Sequence, residues 1–498
     1  MYRLTEALVT RGSVSVVAGN AERGPDGRRY PKAALGQALV AAPFYALGRA
    51  TALPVVPARR DLVVRAVTSL LNPFVSGALA AVLFLLFLAV GASPRAAFFW
   101  TAAAMLATPL WVYGKSFLTE PLLALGLCAG LLGALRFREG GGRAHALLAG
   151  VAWGATVLVK YAMLPAVLLL ALPFVRAFGR RPREAWPAVA ALLAFAAIAL
   201  AYNAARTGTP FGSGYGRQAT AAAFSTPLFV GLYGLLVSSG KGLVWFAPLV
   251  ALAPAAFTTA RRRLGAPAVG IALAVLVMTV VYATFEHWAG DGSWGPRYLV
   301  PFVPLLFVLM VAAESGQPWR GPGRRLVVGA LAVAGLLVQL GGVGIYFGAQ
   351  MREAGDYPYT KPLSDPSFMV DSHFNPARSP IAGHARMLGR NLAAHVRGDW
   401  PEIRPSAPGA EADATAAAGV SSVERERLAL PPAQVEALTR GLDFWWTYAA
   451  YAGLPRLPLL VAAAALLFAA AMAARAAWRA LRRLEVRPLP QAPDTWIA

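Results

Sequence analysis

The chain has 498 residues, 57% hydrophobic and 14% charged, with a mean hydropathy of +0.53. Soluble domains carry about 25% charged residues, so a water-soluble globular protein is excluded. A net charge of +22 would suit nucleic acid, but the arginines sit in short clusters at the ends of apolar runs, where they orient membrane helices. Membrane lipids, not nucleic acid, are the expected partner. The single cysteine, Cys128, lies inside the apolar run ALGLCAGLL, so no disulfide can form within the chain.

In chain order, apolar runs at 62–91, 96–113, 117–137, 145–159, 161–177, 185–203, 240–259, 266–285, 297–314, 326–348 and 455–475 predict about eleven transmembrane helices. Lipid offers backbone amides no partner, and a helix satisfies them internally. The fold class is therefore an all-α polytopic membrane protein with a mostly irregular or mixed outer loop region. Five basic loops fix its orientation: Arg136, Arg138 and Arg143; Arg176, Arg180, Arg181 and Arg183; Arg261, Arg262 and Arg263; Arg320, Arg324 and Arg325; and Arg475, Arg479, Arg482, Arg483 and Arg487. All five are expected on the cytoplasmic side. Because both flanks of 145–177 are basic, that stretch must cross an even number of times, as two short helices meeting near Lys160, Tyr161 and Pro165. The run 227–242 is too short and too interrupted by Gly and Ser to span, and reads as re-entrant or interfacial.

Four regions follow: an outer-face loop with amphipathic or interfacial helices at 1–61, a transmembrane domain at 62–348, an extracytoplasmic loop region at 349–443, and a final helix with a basic cytoplasmic tail at 444–498. Within the third, the Ala/Glu/Pro stretch 405–435 is expected to hold a little helix and some flexible chain. With residues 1–61 outside, parity predicts one further helix upstream of Met1; the alternative is that 35–50, LGQALVAAPFYALGRA, inserts by itself. Ala, Arg, Gly and Pro richness fits a bacterial inner (plasma) membrane protein.

Polar residues with chemical potential gather at the outer helix ends. Glu120, in YGKSFLTEPLLALGLC, is a carboxylate at membrane depth, with Lys115 as its expected partner. The alternative is that Thr119, Glu120 and Pro121 simply start a helix. The segment FEHWAGDGSWGPRYLVP at 285–301 offers Glu286, His287, Asp291, Arg297 and Tyr298. Its arginine suits bidentate phosphate binding, and its Trp and Tyr equally suit an interfacial belt. In GPDGRRYPKAALGQAL, 24–39, a turn delivers Tyr30 and Lys32 before an apolar stretch. Lys160 and Tyr161 add positive charge at membrane depth, or a snorkelling lysine. The histidines His145, His287, His373, His384 and His395 lack metal-ligand spacing, so no zinc site is expected, no cofactor is identified and nothing supports a divalent metal. Walker, dinucleotide and nucleophile-elbow motifs are absent.

Five stretches carry a family likeness: DGRRYPKAALGQALVAAPFYALG, WVYGKSFLTEPLLAL, LLAGVAWGATVLVKYAMLPAVLLL, YNAARTGTPFGSGYG with SSGKGLVWFAPL, and WGPRYLVPFVPLL. Their order resembles the C-type superfamily of membrane glycosyltransferases, family 39-like, which includes protein O-mannosyltransferases and the aminoarabinose and galacturonic acid transferases of lipid A. The resemblance implies a C-type glycosyltransferase fold. It also implies transfer of a sugar, with inversion, from a polyprenyl-phosphate donor to an acceptor (lipid, glycan or protein) on the extracytoplasmic face. On that reading Glu120 is the catalytic acid of the second outer loop. Tyr30, Lys32, Lys160, Tyr161, Arg297 and Tyr298 bind donor phosphate, and Lys115, Glu286 and Asp291 are accessory. The family's principal acid lies in the first outer loop, just before a segment resembling MYRLTEALVTRGSV, and is expected upstream of this chain's first residue, which leaves two readings: an inactive chain, or an incomplete version of an active enzyme.

A transporter or flippase of lipid-linked or amphiphilic solutes is the competing reading. It predicts repeated halves and ionisable residues near the bilayer midplane, whereas these charges gather at outer helix ends. An inactive scaffold of the same fold is the third.

Overall fold

The computed structural model describes residues 1–17, 21–290, 292–316, 321–353, 370–403 and 437–485. Among them, eight helices are long and apolar enough to cross a membrane: Arg60–Ala89, Glu120–Arg138, Tyr161–Arg180, Pro182–Thr207, Ala266–Thr284, Arg297–Ser315, Pro322–Gly344 and Arg456–Leu481. The other three expected spans are shorter or broken. The run 96–113 ends its helix at Leu106 and resumes as Leu110–Gly114 after Thr108 and Pro109. The run 240–259 divides into Leu243–Phe246, a 3-10 turn at Pro248–Leu252 and Ala253–Leu264. Proline has no amide hydrogen to donate, which accounts for both breaks. The helix Arg143–Val159, at 17 residues, is intact but short.

Local rules fix the helix ends. Ser93 Oγ accepts the Ala96 amide at 3.3 Å and Pro94 fills the first turn of Pro94–Leu106. Glu120 and Pro121 open Glu120–Arg138, while Arg136 and Arg138 occupy its last turn, each charge matching the helix dipole. Pro182–Thr207 stops at Gly208, whose φ of 81° is the left-handed value that glycine adopts without steric cost.

The helices Glu120–Arg138 and Arg143–Val159 pack closely because Gly126, Gly130 and Gly133 face Thr156, Trp153 and Ala149 respectively. Around them one large apolar core joins Leu79, Phe87, Trp100, Leu127, Phe246 and Phe307.

The two ends of the bundle differ in chemistry. At one end Arg181 donates to the carbonyls of Phe137 and Gly141, and Arg138 reaches Leu264 O. This is the basic end, the one expected on the cytoplasmic side. At the other, Asn72 donates to Leu118 O at 2.7 Å and Gln37 to Phe117 O at 3.3 Å. The stretch 35–50, expected at the interface, falls in the helix Gly36–Ala52, whose Gln37 is fully buried. A two-stranded hairpin, Ala21–Arg23 with Arg29–Pro31, precedes it and turns at Gly27.

In the described part of the region 349–443 lie the helices Val370–Phe374 and Pro380–Val396, with Phe347–Glu353 leading into it and Trp445–Tyr451 following it. Pro380–Val396 is tied to the 439–441 segment through Asn391, which donates to Thr439 O and Gly441 O at 3.1 and 2.8 Å. The expectation for 405–435 and that for Asp291 fall outside the described residues.

Candidate functional site

Three helix ends converge at the end of the core opposite the Arg138 and Arg181 contacts. The first turn of Glu120–Arg138 supplies Glu120, which is 1% exposed. Arg297, opening the 3-10 turn Arg297–Phe302, donates its Nε to Glu120 Oε1 at 2.7 Å. The second carboxylate oxygen, Oε2, is buried with no hydrogen-bond partner. One half of the carboxylate is thus held by a cation while the other stays available as an acceptor.

Lys160 stands at the break between Arg143–Val159 and the next helix, in extended backbone with φ −155° and ψ 108°. That break sends its side chain to the site instead of along the helix. Its Nζ lies 4.5 Å from the Tyr298 ring centroid and 5.3 Å from that of Tyr282, within the fields of both Glu120 and Arg297. Tyr282 and Tyr298 stack at 4.5 Å with 10° between their planes, and Phe285 meets the Tyr298 ring edge-on at 6.2 Å. Buried with no partner are the phenol oxygens of Tyr161 and Tyr282. Charge, aromatic faces and unfilled hydrogen-bonding groups therefore meet in one place, a setting suited to an anionic leaving group beside a proton acceptor.

Tyr30 and Lys32 form a separate group beside this one. Tyr30 donates its phenol to Asp26 Oδ2 at 2.8 Å, and Lys32 pairs with Glu22 Oε1 at 3.3 Å. Tyr215 connects the two groups, lying within the fields of both Arg206 and Arg297. Glu286 pairs with His287 at 3.6 Å one aromatic layer from Tyr298, since His287 meets the Phe285 ring at 5.6 Å.

One expectation is corrected by the geometry. Lys115 is not the partner of Glu120: its ammonium donates to Val343 O and to Asp443, tying the turn at 114–116 to the outer region. Arg297 takes that partnership because the 286–296 loop carries it over the end of helix Glu120–Arg138. The Nε of Arg297 is the nitrogen that serves Glu120.

Sequence reasoning also passed over several residues. Tyr282 sits inside a run read only as a span, and Arg206 inside a stretch quoted only for its likeness. The one available signal was a polar residue at the outer end of each apolar run. Lys241 is 1% exposed and donates to Ser293 O at 2.5 Å, bracing the same loop that presents Arg297.

Fold and site together define a polytopic helical membrane protein with a buried carboxylate–guanidinium pair, flanked by lysine and tyrosines, at its outer end. No family model matches the chain, and no curated protein sequence matches it. Two solved structures are similar: ArnT from Cupriavidus metallidurans in the apo state, and the same protein bound to undecaprenyl phosphate. Each is 15% identical at a TM-score of 0.48 over 88% of this chain, and the match covers 71% and 79% of those chains respectively.

Proposed function

We propose that the protein is a membrane glycosyltransferase of the C-type class, moving a sugar from a polyprenyl-phosphate donor to a hydroxyl or amine acceptor on the extracytoplasmic face. The observation that carries this reading is the unpartnered Oε2 of Glu120, buried within reach of the fields of Lys160 and Arg297. A single displacement with inversion needs those two functions side by side. The acceptor oxygen or nitrogen attacks the anomeric carbon and gives its proton to Glu120 Oε2. The bond from that carbon to the phosphate oxygen breaks, and the departing phosphate takes the electron pair. Lys160 and the terminal nitrogens of Arg297 balance its growing charge.

The order of the five family-like stretches supports the same class, as does the gathering of polar residues at the end opposite the basic loops. A transporter needs no proton acceptor at the point where a leaving group departs. The test uses membranes containing the protein and a set of radiolabelled polyprenyl-phosphate sugars. Release of free polyprenyl phosphate, with label appearing in a new product, supports the transferase. Label that changes leaflet while remaining on its lipid would support a flippase instead.

A further inference from the structure

Arg206 is 4% exposed near the end of helix Pro182–Thr207, and nothing above gives it a role. Its Nη1 donates to Lys32 O at 2.9 Å and more weakly to Pro31 O and Ala33 O, both at 3.4 Å. Its Nη2 donates to Asn203 Oδ1 at 3.0 Å and to Ser213 O. The guanidinium lies 4.8 Å from the Tyr202 ring centroid and 5.7 Å from that of Tyr161. Tyr202 adds a bond of its own to Ala33 O at 3.1 Å.

Two segments distant in sequence are thereby fixed to one planar cation: the 31–33 strand end, and the end of helix Pro182–Thr207 with the 208–216 loop that follows it. Only arginine offers such a fixed fork of donors; lysine is a point charge on a flexible stem. Gly214 shows how tightly the fork is held. A Cβ at that position would lie 2.5 Å from Arg206 Cζ, and its φ of +67° is itself a glycine conformation.

We infer that Arg206 is a positioning residue that clamps the backbone of Lys32, so that the Lys32 ammonium is delivered to the lipid phosphate of the donor. This rests on the transferase reading for the identity of the ligand, though not for the clamp itself. Lys32 is held at the half-exposed Glu22, a contact a phosphate can displace. Arg206 touches no reacting atom in this scheme and acts through Lys32.

The experiment measures binding of polyprenyl phosphate to the purified protein in detergent, for wild type, Lys32→Met, Arg206→Lys and the double variant. Arg206→Lys and Lys32→Met are each expected to weaken binding about tenfold, and the double variant no more than either alone, because both remove one function. An additive loss of about a hundredfold in the double variant, or unchanged binding by Arg206→Lys, overturns the inference. Gly214→Ala, whose added carbon would press on the guanidinium, should reproduce the Arg206→Lys result and serves as a second, independent variant. Hydrogen exchange over 24–34 supplies a readout independent of ligand: Arg206→Lys should speed it, and unchanged exchange also overturns the clamp. If wild type binds the lipid but transfers no sugar, the transferase reading fails while the clamp stands. If wild type does not bind the lipid, the reading fails and exchange alone decides the clamp.

Discussion

Arg297 holds Glu120 through one nitrogen and one oxygen, at 2.7 Å, and leaves the other carboxylate oxygen buried and unpartnered. A bidentate pair would be a stronger structural tie, because both oxygens would be satisfied. The single-point contact instead orients the carboxylate and reserves Oε2. The alternative in which Glu120 only starts a helix accounts for its place in the first turn, but not for a guanidinium brought from 177 residues away.

Lys160 rests on tyrosine faces, its ammonium 5.3 and 4.5 Å from the Tyr282 and Tyr298 ring centroids. Lys160→Met should weaken donor-phosphate binding by about 1.5–3 kcal/mol, a factor of ten or more, the usual worth of a hydrogen bond to a charged group. Titration with polyprenyl phosphate checks it. Binding equal to wild type would remove Lys160 from the phosphate role.

Glycine packing sets where Glu120 and Lys160 stand. A Cβ on Gly133 would lie 2.8 Å from both the Ala149 amide nitrogen and the His145 carbonyl oxygen, and backbone atoms cannot move aside as a side chain does. Gly133→Ala should force the two helices apart, costing about 1–3 kcal/mol and lowering Tm. Glu120 and Lys160 sit at the far ends of those two helices, so transfer should slow as well. Gly179→Ala, with nothing within 4 Å of the added carbon, should change neither property.

The apolar periodicity and the basic clusters made the helical membrane class legible, because burial in lipid is written along one dimension of the chain. Lys160, Tyr161, Arg297 and Tyr298 also stood out singly, as polar groups at outer helix ends. What could not be read was their pairing. Lys115 meets Asp443 from 328 residues away, and no local pattern encodes such a contact. Likewise the breaks at Pro109 and Pro248 shorten two runs that hydropathy alone would carry across the membrane.

The Lys115–Asp443 pair should hold the outer region to the core. Its lysine is buried enough that loss of solvent pushes its pKa down, while Asp443 opposes that shift. Asp443→Asn should destabilise by about 2 kcal/mol by leaving the ammonium without its counter-charge. Lys115→Met combined with Asp443→Leu should recover much of that loss. Thermal denaturation of the three proteins in detergent measures the pattern; equal Tm values would contradict it.

His384, fully buried in helix Pro380–Val396 with Nδ1 3.1 Å from Gly341 O and its ring 4.5 Å from Trp294, has its pKa pushed down by burial to about 4. The folded state therefore holds it neutral while the unfolded chain takes a proton below about 6.5. Its contribution is fully present above pH 6.5 and is lost as pH falls towards 4. His384→Phe should flatten the fall of Tm over that window relative to wild type. An identical pH dependence in both proteins would show that another group controls it.

The most direct test of the central claim compares Glu120→Gln with wild type in membranes, measuring donor binding and sugar transfer on the same preparations. Gln keeps the shape and an acceptor for Arg297 but cannot take up the acceptor's proton. Donor binding should stay within about threefold, while transfer at saturating donor falls by about a hundredfold or more, the range expected for losing a general base. Turnover by Glu120→Gln at the wild-type rate would contradict the account and leave Glu120 as a helix-start residue.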